Sequence, residues 1–192
     1  FTTEFSEKIT EPDLSEFSVG RINQEHRERY IVSDGNKEYN AEITGYLRFS
    51  ASSRADFPAV GDWVLMKTYD PDQAIIHKIL PRKSLLARQA VGKPGEIQII
   101  STNIDIAFIV QALSNNFNIN RLERYMAICY ESNIEPVLVI SKTDLAPEEE
   151  IQEAIKDLRK RDKKVKYILL SNKTFEGFDQ IRSMIRKGKT FC

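Results

Sequence analysis

The spacing of apolar and polar residues divides the chain into two halves. Between residue 19 and about residue 80, short apolar runs are separated by turn residues: VGRI, YIVSDG, YNAEITGYLRF, VGDWVLMKTYD and AIIHKILP. Asp34-Gly35 and Asp70-Pro71-Asp72 are typical turn sequences between strands. About five short strands of this kind predict a small all-β barrel or a strongly bent sheet. Three glycines fit bends or bulges in such a barrel: Gly20, Gly45 and Gly61.

From Asn103 onward the pattern alternates between strands and helices. DIAFIVQAL, PVLVI and VKYILL are predicted strands. The first helix is predicted from Asn120 to Ser132, with Asn120 as its cap and Glu123 completing a capping box. A second helix is predicted to begin at Pro147, and FDQIRSMI is the third. Such alternation predicts a parallel sheet flanked by helices.

The segment between the two halves is basic. Residues 81–103 carry Arg82, Lys83, Arg88 and Lys93, with Gly and Pro near the middle, so we expect a partly mobile connector. The predicted domains are therefore a barrel with an N-terminal extension at 1–85, a connector at 86–102, and an α/β region at 103–192.

Composition narrows the class of protein. The chain has 192 residues, 41% hydrophobic and 29% charged, with no net charge, which suits one large or two small globular domains. No apolar run is long enough to span a membrane. We interpret Cys129 and Cys192 as free thiols in a reducing, cytoplasmic compartment and expect a monomer. His26 and His77 have no partner at ligand spacing, and no Ser-His-Asp or Cys-His arrangement is present.

One loop has the residues needed to recognise guanine. Ser141-Lys142-Thr143-Asp144 follows the strand PVLVI, at the end of a parallel strand where α/β sheets bind ligands. The Asp144 carboxylate can accept the two adjacent N–H groups of guanine, which adenine lacks. The Lys142 stem can cover the base. The plainer alternative is a polar loop in which Asp144 caps the next helix.

A second loop follows the next strand. In LLSNKTFEGF, Ser171, Asn172 and Lys173 occupy the place where GTPases direct a backbone N–H at guanine O6. Gly188-Lys189-Thr190 looks like the end of a phosphate-binding loop, but Ser183 stands where its first glycine should be. We therefore interpret Gly188 as a helix C-cap and KTFC as the start of a new strand, and expect any phosphate loop beyond Cys192.

The barrel half also contains a candidate nucleic-acid surface. Barrels of this kind bind single strands through aromatic stacking and basic grooves, and Phe49 and Tyr46 could contribute here. The alternative is a solvated surface with core aromatics, because acidic residues are interleaved. The candidate basic residues are Arg21, Arg27, Arg29, Arg48 and Arg54.

Several longer stretches together resemble one family. They are FPAVGDWV at 57–64, ILPRKSLLARQA at 79–90, NIDIAFIVQAL at 103–113, NINRLERYMAICYESNIEPVLVISKTDL at 118–145, and the LLSNKT loop. In this order they resemble the ribosome small-subunit-dependent GTPase A family, or RsgA (YjeQ/YloQ). The resemblance implies an N-terminal all-β OB-type barrel followed by part of an α/β P-loop-type GTPase domain, circularly permuted so that the guanine-reading loops precede the phosphate loop.

The same resemblance implies function and partners. The intact protein would bind GTP or GDP with Mg²⁺, hydrolyse GTP and act late in maturation of the small ribosomal subunit, with the barrel contacting ribosomal RNA. A zinc-binding domain would follow, so the Zn²⁺ ligands, the Mg²⁺ ligands and the catalytic residues are expected beyond Cys192, and residues 1–192 alone are expected to be inactive. The implied guanine contacts lie in the loops 141–144 and 171–173, where Ser141 departs from the usual Asn. The alternative is a non-enzymatic RNA-binding module with an α/β docking platform.

Overall fold

The computed structural model describes residues 15–89, 97–113 and 117–192. The chain forms two compact units, Phe1–Asn103 and Ile104–Cys192. Each unit is described by itself below.

The first unit contains the predicted barrel. Its five strands close in the order β1-β2-β3-β5-β4, with β3 and β5 parallel and the other pairs antiparallel. A five-stranded closed barrel of this type confirms the OB-type expectation. The strands are β1 Ser18–His26, β2 Arg29–Ser33, β3 Glu38–Ile43, β4 Trp63–Asp70 and β5 Gln73–Ile79.

Alternating side chains fill the barrel. Tyr30 and Val32 on β2 point inward and are buried, whereas Arg29, the first residue of β2, is exposed, as expected for a strand with one buried face. A Cβ on Gly20 would lie 2.4 Å from the Val32 side chain, so glycine allows β1 to approach β2. Burial of the Tyr30 hydroxyl raises its pKa to about 12.

Residues 45–50 correct the prediction of a strand there. Gly45–Ser50 form helix α1, and the Thr44 side chain caps it by accepting a hydrogen bond from Leu47 N at 3.2 Å. This cap starts a helix immediately after β3, which partial alternation could not indicate. Gly45 opens the helix with no atom near its Cβ position, and the register shift in β1 lies between Ile22 and Gln24 instead.

The basic connector is also different from its prediction. Strand β6, Leu85–Gln89, pairs antiparallel with β7, Ile97–Thr102, and both belong to the first unit. Lys93 and the rest of 90–96 lie outside the described residues. Side chains that are far apart in the sequence hold β6 and β7 in place.

The buried carboxylate of Asp62 holds this region together. It accepts hydrogen bonds from Arg82 Nε at 2.7 Å and Nη2 at 2.6 Å, from Thr102 Oγ1 at 2.7 Å and from Ala59 N at 2.8 Å. The Arg82 guanidinium also donates to the Ala55 and Phe57 carbonyls. A charge buried in this way is stable because every polar atom is paired.

The second unit is a three-stranded parallel sheet in the order β10-β9-β8 with helices packed against it, as predicted. Phe191 forms an isolated parallel bridge with Ile106, and Phe108 N donates to Cys192 O at 2.9 Å, so the residues at 191–192 lie beside β8 without forming a further strand in the described residues. The elements are β8 Ile106–Ala112, α2 Ile119–Glu131, β9 Glu135–Ser141, α3 Glu148–Arg161, β10 Lys166–Leu170 and α4 Phe178–Met184.

Two helix ends differ from their predictions. The N-cap of α2 is Asn118, whose side chain accepts from Arg121 N at 3.1 Å, so the Asn120–Glu123 capping box was wrong by one half-turn. Helix α4 ends at Met184, and Gly188 lies beyond it in a turn with a φ of 84°. Its positive φ fits glycine, but Gly188 is not the helix C-cap.

Within the described part of the chain, no helix is both long enough and apolar enough to cross a membrane.

Candidate functional site

Two loops emerge side by side at one edge of the second unit. Strands β9 and β10 are parallel neighbours, with Ser141 paired opposite Leu170. The segments that follow these residues therefore leave the sheet at the same carboxyl edge, which is where ligands bind in open α/β sheets.

The loop after β9 is tightly folded. Lys142 adopts the left-handed conformation, with φ 60° and ψ 35°, and a 3₁₀ turn follows at Thr143–Leu145. Thr143 is buried, and its hydroxyl donates to the Leu170 carbonyl at 3.3 Å. Lys142 and Asp144, on either side of this anchor, are exposed. The fold therefore fixes the middle of the loop and presents its two charged residues to solvent.

The loop after β10 is linked directly to Asp144. Ser171 is fully buried, and its Oγ donates to Asp144 Oδ1 at 2.6 Å. Ser171 Oγ also accepts hydrogen bonds from the backbone N–H groups of Lys173 at 3.2 Å and Thr174 at 3.1 Å. Ser171 therefore orients the Asp144 carboxylate and shapes its own loop at once, while Asn172 and Lys173 stay exposed.

Gly177 closes the second loop. Its φ is 81°, and a Cβ there would lie 2.0 Å from the Leu169 carbonyl oxygen. Only glycine fits this approach of the loop to β10. Glu176, which sequence reasoning did not single out, brings Oε2 to 3.5 Å from the Thr143 hydroxyl and so adds a further link between the two loops.

The helix-capping alternative for Asp144 does not hold. Helix α3 has Pro147 at its N-cap position and no side-chain cap hydrogen bond. Asp144 is exposed and is oriented by Ser171. Its Oδ2 and the remaining lone pairs can accept two N–H groups from a ligand at the edge of the sheet.

Lys189 and Thr190 have a structural role. Lys189 Nζ lies 2.8 Å from Asp105 Oδ1, and Thr190 N donates to Asp105 Oδ2 at 2.9 Å. These bonds help hold the residues at 191–192 beside β8. The resemblance of Gly188-Lys189-Thr190 to a phosphate loop is therefore coincidental, as the sequence analysis expected.

The barrel arginines are mostly paired. Arg48 lies 2.8 Å from Glu28, Arg29 lies 3.9 Å from Glu42, and Arg54 contacts Glu25. Arg21 Nε donates to the Gly61 carbonyl at 3.4 Å, and its guanidinium lies 5.3 Å from the Trp63 ring centre. Arg27 has a positive φ in the β1–β2 turn.

Two aromatic residues near these arginines are solvent-exposed. Tyr46 and Phe49 on α1 have relative exposures of 79% and 94%, so neither belongs to the core. Arg48 lies between them in the same helix. Helix α1 is therefore the part of the candidate surface that combines a cation with open aromatic faces.

Over residues 15–89, 97–113 and 117–192, no group of three His, Cys, Asp or Glu side chains could hold a metal ion. Cys129 is buried and Cys192 is exposed, both as free thiols.

The barrel followed by the three-stranded parallel sheet is a fold shared with two solved structures. The architecture matches YjeQ from Thermotoga maritima with a TM-score of 0.71 at 21% identity, over 91% of this chain and 59% of that one. It also matches YloQ, described as a circularly permuted GTPase, with a TM-score of 0.64 at 21% identity, over 92% of this chain and 58% of that one.

Sequence comparison gives the family. The RsgA GTPase family model matches residues 79–192, and the chain belongs to this family. It is 39% identical over 172 residues to the small ribosomal subunit biogenesis GTPase RsgA 2 of Lactiplantibacillus plantarum, covering 90% of this chain and 48% of that protein. It is 32% identical over 190 residues to RsgA of Opitutus terrae, covering 94% and 51%. The chain thus spans about half the length of these curated relatives.

Proposed function

We propose that the protein to which this chain belongs binds guanine nucleotides at the edge formed by the loops 141–144 and 171–173, and hydrolyses GTP during maturation of the small ribosomal subunit. The observation that carries the proposal is the Ser171–Asp144 hydrogen bond of 2.6 Å at the carboxyl edge of the sheet. Family membership and the names of the relatives support the ribosomal role.

Base recognition follows from the geometry of these loops. The Asp144 carboxylate, held by Ser171, accepts the N1–H and N2–H groups of guanine in a charge-assisted pair. The exposed Lys142 lays its methylene stem over the base. A backbone N–H in the loop 171–173 donates to guanine O6. Ser141 cannot supply the amide that an Asn would provide; the described anchor of the first loop is the Thr143 hydroxyl, which donates to the Leu170 carbonyl.

We propose that the phosphate end of the nucleotide is bound by a part of the protein beyond Cys192, because this chain covers only about half of the relatives' length. The isolated bridge of Phe191 to Ile106 is parallel, so a strand continuing from it would reach the edge where Asp144 lies. We propose that a phosphate-binding loop follows there, with Mg²⁺ bound at the phosphates and Zn²⁺ in a later domain. Because phosphoryl transfer depends on those parts, residues 1–192 alone bind the base without turning GTP over.

The barrel is the part of the protein for which we propose a contact with RNA. Exposed Tyr46 and Phe49 beside Arg48 are suited to stacking and phosphate contact, so the barrel would contact ribosomal RNA of the small subunit. A factor in this role would act in the cytoplasm, as a monomer.

The decisive test is Asp144→Asn in the full-length protein. The amide presents a donor where the carboxylate accepts, so it matches the carbonyl of xanthine instead of the amino group of guanine. We expect affinity for GTP to fall at least about a hundredfold relative to XTP, measured by competition against a fluorescent nucleotide.

The matched control is Asp179→Asn, an exposed carboxylate on α4 whose only described contact is a surface ion pair with Arg182. It should leave the GTP to XTP ratio unchanged. If Asp144→Asn leaves selectivity as it was, or if the parent protein prefers ATP to GTP, the proposed site is wrong.

A further inference from the structure

Positive charge is concentrated where α3 ends and β10 begins. Over residues 156–166, seven side chains are Lys or Arg and two are Asp, although the whole chain has 28 of each sign. The seven cationic residues are all exposed. Cations in the last turn of a helix interact favourably with the helix dipole. This interaction accounts for Arg159 to Arg161 but not for the lysines that follow.

Some of these charges are neutralised locally. Lys160 pairs with Asp157 at 2.7 Å, Lys166 with Glu135 at 2.5 Å, and Arg161 with Glu123. The Asp162 carboxylate is occupied by the Tyr130 hydroxyl at 2.7 Å and by backbone N–H groups, and these bonds lower its pKa.

Three lysines remain outside these pairs: Lys156 on α3, and Lys163 and Lys164 in the loop before β10. Lys163 and Lys164 are the ones next to each other. In the part of the chain that the structure describes, neither ammonium group has a hydrogen bond or an ion pair. Arg159 lies beside them, with its Nη1 donating to the Lys163 carbonyl at 2.7 Å and its guanidinium 5.0 Å from the Tyr167 ring centre. The loop and the arginine therefore hold each other in place.

The same residues border a depression along an outer strand. Among the strands that the structure describes, β10 pairs with β9 alone, and a cavity of about 510 Å³ lies along its other side. Basic residues on outer strands discourage pairing with other strands, which explains Lys166 but not two lysines in the loop before the strand. The cavity is lined by Arg159, Lys164, Lys166, Tyr167, Glu176 and Gln180, among others.

We infer that this surface, the basic edge formed by Arg159, Lys163, Lys164 and Lys166, binds the phosphate backbone of RNA. Unpaired lysines are point charges that suit phosphates, and they carry no base-reading geometry. Lys163 and Lys164 precede β10, at its amino end, whereas Asp144 lies at the carboxyl edge, so RNA and nucleotide can bind together. The choice of RNA among possible polyanions rests on the proposed function. The binding of a polyanion at this surface does not.

The test is Lys163→Glu/Lys164→Glu, measured by fluorescence anisotropy with a labelled RNA hairpin over a KCl series. Loss of two phosphate contacts should weaken binding about tenfold or more and reduce the slope of log K against log salt by about two. The matched control is Arg186→Glu/Lys187→Glu, which makes the same charge change in the loop before Phe191, on the β8 side of the sheet. It should stay within about twofold of the parent.

Any of the following three results would overturn the inference. Equal weakening by both variants would indicate net charge alone. If Lys163→Glu/Lys164→Glu binds RNA as tightly as the parent, or if the parent chain does not bind RNA, the inference is wrong. Loss of binding to phosphatidylserine vesicles with RNA binding intact would reassign it to membranes.

Folding and nucleotide binding are checked separately. The urea midpoint of Lys163→Gln/Lys164→Gln should match the parent, because both side chains are exposed, and this variant should also weaken RNA binding. GTP selectivity of the full-length protein is measured alongside. If the variant keeps its GTP selectivity and binds RNA as tightly as the parent, the inference about the basic edge is wrong and the proposed function still stands.

Discussion

At the residue scale, individual contacts decide what each position can accept. Gly35 and Gly61 have nearly the same backbone, with φ of 98° and 94°. No atom lies within 4 Å of a Cβ on Gly35, whereas a Cβ on Gly61 would lie 2.3 Å from the Thr102 carbonyl oxygen. Their sequence contexts do not reveal this difference, because it depends on strand β7, some forty residues away.

The pair gives a direct prediction. Gly35→Ala should lower the free energy of unfolding by about 1–2 kcal/mol, the cost of the left-handed conformation alone. Gly61→Ala adds a steric clash with backbone and should cost about 3 kcal/mol or more. Urea unfolding followed by tryptophan fluorescence measures both, and equal losses would contradict the close approach to Thr102.

The guanine-type loops show the same dependence on contacts. Asp144 was identifiable from its neighbours in sequence, because SKTD follows an apolar strand. The role of Ser171 as the donor that orients Asp144 required the sheet, since only parallel pairing of β9 and β10 brings these two residues within 2.6 Å.

At the element scale, helix and strand types were predictable, and their ends were less so. The apolar positions of α2 and α3 identified both helices, and Leu122, Met126, Ile151 and Leu158 are buried as expected. Tyr125, which fits the same spacing, is half exposed, because a helical stripe is wider than the face that the sheet covers. Residues 45–50 became a helix because the Thr44 cap prevailed over weak alternation.

The corrected cap of α2 can be tested with two neighbouring asparagines. Asn118→Ala removes the acceptor for Arg121 N and should cost about 1 kcal/mol of stability in the second unit. Asn120→Ala, inside the first turn, should cost nothing or stabilise slightly, since alanine is the better helix former. Circular dichroism in urea compares the two, and a larger loss at Asn120 would restore the original assignment.

At the scale of the whole molecule, the chain contains two compact units with separate cores. The single tryptophan, Trp63, lies in the first unit, and the buried thiol of Cys129 lies in the second. Burial, together with the neighbouring Cys192 thiol, raises the pKa of Cys129 to about 11. Cys129 is therefore protonated and protected near neutral pH while its unit is folded.

These two probes allow a test of independence. Arg82→Met removes the partner of the buried Asp62 carboxylate and should destabilise the first unit by about 3–5 kcal/mol. We expect the Trp63 fluorescence midpoint in urea to fall, while the midpoint for Cys129 labelling stays where it was. Cys192 is exposed and labels in the native state, which gives the baseline.

The control for that experiment is Arg48→Met. Arg48 forms an exposed ion pair with Glu28, and such pairs contribute about 1 kcal/mol or less. It should move neither midpoint appreciably. A common shift of both probes in Arg82→Met would show that the two units unfold as one.

The sequence by itself determined the five barrel strands, the change to alternating strands and helices after Asn103, and the two loops that end β9 and β10. These features follow from local periodicity and turn chemistry, which act over a few residues. Tertiary structure decided the β6–β7 pairing, the burial of Asp62 against Arg82, and the link from Ser171 to Asp144. The two side-chain contacts join residues 20 or more positions apart, and no local pattern records which distant groups a closed barrel or a parallel sheet will bring into contact.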